Sequence, residues 1–196
     1  MLSLKNSLKV LKKTNALLEG HFILSSGLHS AQYVQCAKLL SYPKLSEKFI
    51  RSLASKIRKK IKKIDIILSP AMGGIIIGYE IGKLLGKETI FCERVNKRFT
   101  LRRGFSIKKN SKVLIVEDVI TTGKSSLECV KLIKKSNAKL VGFACLIDRT
   151  SKTKLKNKII SQVKLKIPTY NKKNIPTFIK EIPATKPGSR FLKWPN

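Results

Sequence analysis

The stretch VLIVEDVITTGKS, residues 113–125, runs from apolar residues through two adjacent carboxylates into a polar loop with one glycine. Val113 to Val116 form a short continuous apolar run, which is typical of a strand buried in a parallel sheet. Ser125 to Lys135 then place apolar residues at helical spacing. The stretch therefore predicts a strand that ends where the acids begin, a tight turn at Gly123, and a helix.

The segments on either side repeat this alternation of strand and helix. Leu4 to Leu18 predict a first helix that ends near Gly20, and short strands follow around a turn at Gly27. Pro43 opens a second helix that runs to about Lys60. Downstream come the strand IDIILS, the loop PAMGG, the helix IIIGYEIGKLL, and the strands ETIFC and KLVGFACLID. This order predicts an α/β fold with a central parallel sheet flanked by helices, and a ligand site at the carboxyl ends of its strands.

Length and composition favour one domain in the cytoplasm. A chain of 196 residues can bury one good core. No apolar run is long enough for a membrane helix, and the lysine-rich N-terminus lacks the apolar core of a signal peptide. The four cysteines include no CxxC pair, which fits neither a zinc site nor a disulfide framework; they are Cys36, Cys92, Cys129 and Cys145.

The charge balance is strongly basic. Lys and Arg number 42 against 11 Asp and Glu, a formal net charge of +31 at pH 7. Such a balance favours anionic partners, which include nucleic acids, acidic membranes and phosphorylated small molecules. The lysines are spread over nearly every segment, and no RNA-stacking aromatic motif or zinc-finger spacing accompanies them. We therefore interpret most of the charge as solvated surface, and expect no specific nucleic acid and no membrane as partner.

The loop after the acids can be tested against two phosphate-binding motifs. A P-loop requires a glycine where Asp118 stands, and no GxGxxG follows any predicted strand. A glycine-containing loop at a helix N-terminus still offers backbone N–H groups and a positive dipole end to a phosphate. Glu117 and Asp118, which as carboxylates only accept hydrogen bonds, suit the hydroxyls of a sugar. Together these features predict a site for a ribose 5-phosphate.

Residues 113–125 resemble the phosphoribosyl pyrophosphate (PRPP) binding motif of type I phosphoribosyltransferases, with an apolar run, two acids, two apolar residues, then Thr, a small residue, Gly and a hydroxyl. The resemblance implies a type I phosphoribosyltransferase fold, in which a small N-terminal hood covers a central parallel sheet. The whole chain, 1–196, would then be one domain. Its parts would be the first helix and hood at about 1–42, the core sheet at about 62–167, and a C-terminal extension at about 168–196.

Five further segments resemble orotate phosphoribosyltransferases. They are the N-terminal segment GHFILSSGLHSAQYVQ, the pyrophosphate loop SPAMGG, the mobile catalytic loop CERVNKRFTLRRGF, the strand end LIDR, and PATKPGSR near the C-terminus. The resemblance runs from about Gly20 to Arg190. It implies transfer of ribose 5-phosphate from PRPP to orotate, which yields orotidine 5′-phosphate and pyrophosphate in de novo pyrimidine (UMP) biosynthesis.

The resemblance also implies roles for individual residues. Glu117 and Asp118 would hold the ribose hydroxyls, with Asp118 also counted as catalytic. Thr121 and Arg149 would contact orotate, since a guanidinium offers its carboxylate a bidentate fork. The alternative for Arg149 is a surface ion pair with Asp148 or Glu117. The remaining PRPP contacts would come from Val119, Ile120, Thr121, Thr122, Gly123, Lys124 and Ser125 of the motif, and from Met72 and Gly73 of the pyrophosphate loop.

The segment Glu93 to Gly104 would be a closing lid with catalytic cations at Arg94, Lys97 and Arg103. These cations would stabilise the leaving pyrophosphate together with Mg²⁺, which would be held mainly through PRPP and not by protein ligands. In this family the lid commonly serves the neighbouring subunit, which implies a homodimer.

The chain departs from the family pattern at several positions. Many members have lysines where Ser25 and Gly73 stand, and a Lys-x-x-Lys-x-His pattern in the mobile loop that is missing here. We expect His21 and His29 to be structural and not acid catalysts. Two other functions stay open: a phosphoribosyltransferase for another base such as a purine, and a regulator on the same fold that senses PRPP and binds nucleic acid.

Overall fold

A computed structural model describes residues 2–24, 26–151 and 153–187. In chain order, the helices are α1 Leu4–Lys13, α2 Cys36–Leu40, α3 Pro43–Lys60, α4 Gly73–Leu85, α5 Lys124–Lys135 and α6 Thr177–Lys180. The strands are β1 Leu17–Ile23, β2 His29–Val34, β3 Ile66–Pro70, β4 Glu88–Val95, β5 Arg98–Leu101, β6 Lys112–Ile120, β7 Lys139–Asp148 and β8 Ile159–Lys164.

A six-stranded sheet with the order β5-β4-β3-β6-β7-β8 forms the centre of the molecule. All neighbouring strands are parallel except β5, which pairs antiparallel with β4 at one edge. Because β3 and β6 are central and parallel, their carboxyl ends lie side by side, and the loops that follow them meet at one edge of the sheet. The predicted α/β fold with a parallel sheet is confirmed, and the antiparallel edge strand is an addition to it.

Helices cover both faces of the sheet. On one face, α3 and α4 pack with Ile67, Leu114 and Val116 in one apolar core. On the other, α5 packs with alternate residues of the same strands, and Cys129 and Ile133 lie among them. The alternation follows from the two-residue period of a strand, which sends successive side chains to opposite faces.

Two local features fix helices on the first face. Pro43 begins α3, as predicted, because a proline in the first helical turn needs no backbone hydrogen bond. Helix α4 lies very close to the sheet, since a Cβ on Gly78 would stand 2.1 Å from Ser69 Oγ and one on Gly82 only 1.8 Å from Thr89 Oγ1. This close packing sets the position of the loop that precedes α4.

The prediction for the first helix was wrong at its C-terminal end. Helix α1 stops at Lys13, and Asn15 adopts a left-handed conformation with φ 52°. The backbone N–H of Ala16 donates to the Leu11 carbonyl at 2.8 Å, which closes the helix in the manner of a Schellman motif. Leu17 and Leu18, which fitted the helical spacing, instead begin β1 and pair with β2.

Strands β1 and β2 form the hood, an antiparallel pair joined through Gly27, whose φ is +79°. The C-terminal segment docks against it: Ile23 N–H donates to the Thr185 carbonyl, and His29 N–H to the Tyr170 carbonyl, each at 2.8 Å. Of the segment PATKPGSR, residues 188–190 lie outside the described residues. No helix in the described parts of the chain is both long and apolar enough to cross a bilayer.

Candidate active site

The acid pair lies within strand β6, not after it. Strand β6 continues to Ile120, because Val119 and Ile120 pair with Ile147 and Asp148 of β7. The expectation that the strand ends at Val116 was therefore wrong. Consecutive strand residues face opposite sides of a sheet, so the two acids are separated. Glu117 accepts a hydrogen bond from Ser126 Oγ of α5, whereas Asp118 lies on the α4 side, against Gly73.

Glu117 is buried and Asp118 is half-buried. Burial raises the pKa of Glu117 to about 7, with repulsion from Asp118 adding to the rise and the Ser126 hydrogen bond opposing it. Burial also raises the pKa of Asp118, although Val119 N–H donates to Asp118 Oδ1 at 2.8 Å. Carboxylates in this state gain from any ligand that supplies hydrogen-bond donors or positive charge.

The motif wraps an open cavity of about 470 Å³ at the N-terminus of α5. Gly123 caps the helix with φ +76°, and a Cβ there would stand 2.8 Å from Leu155 Cγ, so the turn requires glycine. The first-turn N–H groups of a helix have no intrahelical acceptor, which suits them to a phosphate. The structure brings these residues together around the cavity: Glu117, Val119, Ile120, Thr121, Thr122, Gly123, Lys124, Ser125 and Glu128, with Arg94 and Lys97 opposite.

The segment Glu93 to Gly104, expected to be a closing lid, forms an antiparallel hairpin up to Leu101. Strands β4 and β5 pair with Val95 opposite Arg98, and the two-residue turn Asn96–Lys97 has φ values of 48° and 64°. Two positive φ values are typical of a type I′ turn. The turn sets Arg94 and Lys97 at the cavity of the same subunit.

The structure does not bring Arg103 into this cavity. Its guanidinium forms two hydrogen bonds with Glu93, from Nε and Nη2, each at 3.0 Å, and lies 5.7 Å from the centre of the Phe91 ring. The expected grouping of Arg103 with Arg94 and Lys97 is thus not observed in this arrangement. Arg103 lies two residues beyond β5, with a φ of 58°, and its side chain meets Glu93, which leaves β4 on the face opposite Arg94.

The predicted pyrophosphate loop lies at the carboxyl end of β3, beside the acid pair. A Cβ on Gly73 would stand 2.6 Å from Asp118 Oδ2. The family's lysine at this position would therefore require the Asp118 carboxylate to move. Met72 is 81% exposed and stands outside the cavity lining. Ser25, the other position at which the family has a lysine, lies outside the described residues.

Arg149 lies on the hood side of the sheet, where β7 ends. The backbone N–H of Arg149 donates to the Ile120 carbonyl at 2.8 Å, which places this residue beside the start of the PRPP loop. Burial lowers the pKa of its guanidinium, and the nearby Tyr33 and Cys36 oppose this fall. Its Nε is buried with no hydrogen-bond partner among the described residues.

The alternative ion pairs for Arg149 are not formed. Asp148 instead accepts hydrogen bonds from Thr150 N–H at 2.8 Å and Thr150 Oγ1 at 2.7 Å, and its other oxygen lies 3.6 Å from Lys164 Nζ. Glu117 is bonded to Ser126. Arg149 is therefore a half-buried cation that forms no ion pair with a carboxylate among the described residues, which is the environment of an anion-binding residue.

The histidines lie outside this constellation, whereas the Cys36 thiol donates to the Asp118 carbonyl at 3.8 Å. His21 and His29 are buried in the hood, with 2.7 Å between His21 Nε2 and His29 Nδ1, and His21 Nδ1 donates to the Ile182 carbonyl at 3.0 Å. All four cysteines are free, although the Sγ atoms of Cys92 and Cys129 are 3.5 Å apart. In the described residues, no group of three or more His, Cys, Asp or Glu side chains could hold a metal.

Comparison with known proteins agrees with this geometry. A profile of the family described as phosphoribosyl transferase domain matches residues 40–181, and the chain belongs to this family of enzymes. More particularly, it is 46% identical over 187 residues to the orotate phosphoribosyltransferase of Parvibaculum lavamentivorans, a match that covers 94% of this chain and 96% of that protein.

Solved structures confirm the type I fold. The orotate phosphoribosyltransferase of Aeropyrum pernix aligns with a TM-score of 0.72 at 24% identity, over 81% of this chain and 93% of that one. The adenine phosphoribosyltransferase of Saccharomyces cerevisiae aligns with a TM-score of 0.64 at 19% identity, over 80% and 99% of the two chains. Because both an orotate and an adenine enzyme share the architecture, the fold alone does not choose the base.

Three contacts of the site were not foreseen from the sequence. Ser126 and Glu128 sit inside the predicted helix, where their spacing looks like that of ordinary polar residues. Their partners, Glu117 and Arg94, lie at or beyond the predicted ends of their strands, where the sequence does not show which face each side chain takes. Tyr33 reaches the site from the hood. Only the recognition of the β4–β5 hairpin would have indicated that Arg94 faces α5.

Proposed function

We propose that the chain transfers ribose 5-phosphate from PRPP to orotate, forming orotidine 5′-phosphate and pyrophosphate in de novo pyrimidine synthesis. The observation that carries the choice of base is Arg149, a half-buried residue beside the PRPP loop whose Nε is buried without a hydrogen-bond partner among the described residues. Orotate has a carboxylate that such a guanidinium can bind, and the purine bases do not. The close relationship to the Parvibaculum enzyme supports the same choice.

The site residues divide the work of the reaction. Glu117 and Asp118 accept hydrogen bonds from the ribose hydroxyls, and the loop at Gly123 surrounds the 5-phosphate with backbone N–H groups. Attack by the orotate ring nitrogen breaks the bond between the anomeric carbon and pyrophosphate, so negative charge grows on the leaving group. Arg94 and Lys97, which face the cavity, stabilise that charge.

Mg²⁺ is part of this proposal. Held mainly through PRPP, it would supply further neutralisation of the leaving group's charge. The donors present fit this arrangement, because Asp118 offers a hard carboxylate oxygen beside the pyrophosphate loop, as Mg²⁺ prefers. The ion would be held mainly through PRPP, with Asp118 as a nearby protein carboxylate and not as its principal ligand.

A homodimer and a cytoplasmic location complete the proposal. Helix α4 and the loop before it expose three large apolar side chains: Met72 is 81% exposed, Ile76 55% and Tyr79 63%. Their spacing places them along one helix face, and a second copy of the chain would cover them. In such a dimer the lid could also reach the neighbouring site, in addition to the cavity of its own subunit. The location rests on the sequence expectation.

Pyrophosphate release tests the choice of base. The protein is incubated with PRPP, Mg²⁺ and, in separate reactions, orotate, adenine, guanine, xanthine or uracil. We expect pyrophosphate release in the reaction with orotate and in none of the reactions with the other four bases. Release with a purine and not with orotate would replace the substrate, and no release with any base would favour the PRPP-sensing regulator.

The variant Arg149→Gln tests whether this residue binds the orotate carboxylate. Losing a charge-assisted contact to the carboxylate is expected to lower kcat/KM for orotate by about tenfold or more. Arg51→Gln is the control, because Arg51 forms an exposed pair with Glu47 on α3. A variant at Arg149 that uses orotate as well as the parent does would remove this residue from the orotate site.

A further inference from the structure

Glu128 occupies a position in the cavity to which the proposed reaction assigns no role. It lies in the second turn of α5, the helix whose N-terminus forms the phosphate loop, and lines the cavity. Its Oε2 accepts a hydrogen bond from Arg94 Nη1 at 2.9 Å and its Oε1 one from Arg94 Nη2 at 3.2 Å. The pair is therefore bidentate, the arrangement that fixes a guanidinium in orientation as well as in place.

Arg94 is held on two other sides. Its Nη1 also donates to the Lys97 carbonyl at 2.8 Å, and its guanidinium carbon is 4.1 Å from the centre of the Phe99 ring. Phe99 is the residue opposite Arg94 in the hairpin register. Through Arg94, Glu128 thus connects α5 to the turn that presents Lys97.

We propose that Glu128 is a positioning residue that holds Arg94, and through it the Asn96–Lys97 turn, at the cavity that the phosphate loop wraps. The proposal rests on the proposed function, because it gives Arg94 and Lys97 their pyrophosphate role. The side chain of Glu128 is 20% exposed and that of Arg94 38%, so the pair is shielded enough to differ from a fully solvated surface pair.

The charge of the pair matters to the chemistry. Arg94 keeps its positive charge while Glu128 fixes the orientation of its guanidinium, and Lys97 lines the cavity beside it. Neutralising Glu128 would leave Arg94 without its bidentate acceptor, and the guanidinium would sample other orientations. The expected loss lies in the step in which charge develops on pyrophosphate, hence in kcat and not in the binding of orotate.

The test uses Glu128→Gln and Arg94→Ala, alone and combined, in the full-length chain. We expect Glu128→Gln to lower kcat by about tenfold while KM for orotate stays within about twofold, because one charge-assisted bond is lost at the leaving-group end. In the Arg94→Ala background the same substitution is expected to have no further effect. Glu128→Asp, which keeps the charge, should recover part of kcat.

The double variant separates positioning from a merely structural role. If Glu128 only stabilised α5, its substitution would lower activity equally with and without Arg94, and that result would overturn the proposal. Full activity of Glu128→Gln would overturn it too. Glu47→Gln, which breaks a remote Arg–Glu pair on α3, is the control and should match the parent. Failure of the parent protein to release pyrophosphate with orotate would instead contradict the proposed function.

Discussion

Replacing Glu117 by Gln is expected to stabilise the free protein at alkaline pH and to weaken its use of PRPP. Glu117 is 7% exposed, and burial raises the pKa of its carboxyl from 4.5 to about 7. A carboxyl whose pKa is higher in the folded than in the unfolded state stabilises the fold below the unfolded pKa, and this contribution is lost as the pH rises through the folded pKa. The stabilisation should therefore disappear between about pH 4.5 and about pH 7.

The size of the effect follows from the pKa difference. At about 1.36 kcal/mol per pKa unit, holding Glu117 ionised in the fold costs about 3 kcal/mol well above pH 7. Gln is neutral and of similar shape, and its Oε1 can still accept the hydrogen bond from Ser126. The stability advantage of Glu117→Gln is expected to grow by about 2 to 3 kcal/mol between about pH 5 and about pH 8.5.

Urea unfolding of the two proteins at both pH values, without substrates, measures this advantage. Glu47→Gln serves as control, since Glu47 is in an exposed pair and its substitution should show no such growth with pH. An advantage that is the same at both pH values would refute the reasoning. It would mean that the surrounding basic surface offsets the burial of Glu117.

The same variant should lose activity while it gains stability. A neutral amide replaces a charged acceptor of the ribose hydroxyls, which is worth about 1.5 to 3 kcal/mol per bond, or roughly ten- to a hundredfold in kcat/KM for PRPP. Opposite effects on stability and activity are expected of a charge that is retained for its ligand. Loss of both together would indicate a structural role for Glu117.

Four other outcomes are expected. Asp118→Asn should lower kcat/KM for PRPP by the loss of one to two charge-assisted bonds, roughly 1.5 to 3 kcal/mol each, with an unchanged circular dichroism spectrum. Unchanged kinetics would mean that Asp118 does not bind the ribose. Gly73→Ala should lower kcat/KM for PRPP because its Cβ would lie 2.6 Å from Asp118 Oδ2, whereas parental kinetics would show that the carboxylate relocates freely. Arg94→Ala and Lys97→Ala should lower turnover far more than they raise KM for orotate. An effect confined to orotate binding would mean that these residues act on the ground state and not on the transition state. Binding to random and A/T-rich duplex DNA should be weak, independent of sequence and steeply lost with salt, with or without PRPP; salt-resistant binding that responds to PRPP would favour the regulator.

The sequence predicted the parts of the site that are local in the chain. In residues 113–125, the strand, the loop and the helix follow one another directly, so the apolar run and the glycine are enough to place them. Helix α3 was predicted at both ends, and Pro43 marks the first of them because proline is favoured in a first helical turn. The prediction of strand β6 failed at its C-terminal end, since two acids interrupt the apolar pattern while the ladder with β7 continues past them.

Elements at the edges of the sheet were missed for a related reason. Strand β8, Ile159–Lys164, has lysines at both ends and mixes buried Ile160 and Val163 with a buried Gln162. Its sequence therefore shows neither the alternating pattern of a half-buried strand nor the continuous apolar run of a buried one. Strand β5 follows a turn of Asn and Lys, which lacks the glycine that usually marks a two-residue hairpin. In each case pairing with a neighbouring strand decides the structure, and this information is not local.

Glu93 and Arg94 illustrate what only the register can decide. They are adjacent in β4, so their side chains leave the sheet on opposite faces. Arg94 meets Glu128 of α5 beside the cavity, while Glu93 meets Arg103 on the other face, and both pairs are bidentate. As basic residues of one polar segment, Arg94 and Arg103 cannot be distinguished by composition or spacing. The register of β4 on β3 distinguishes them, because a shift of one residue there would exchange the faces of β4 and bring Glu93, a carboxylate, to the cavity in place of Arg94. The pairing of Pro70 with Cys92 is therefore a condition of the proposed chemistry as much as of the fold.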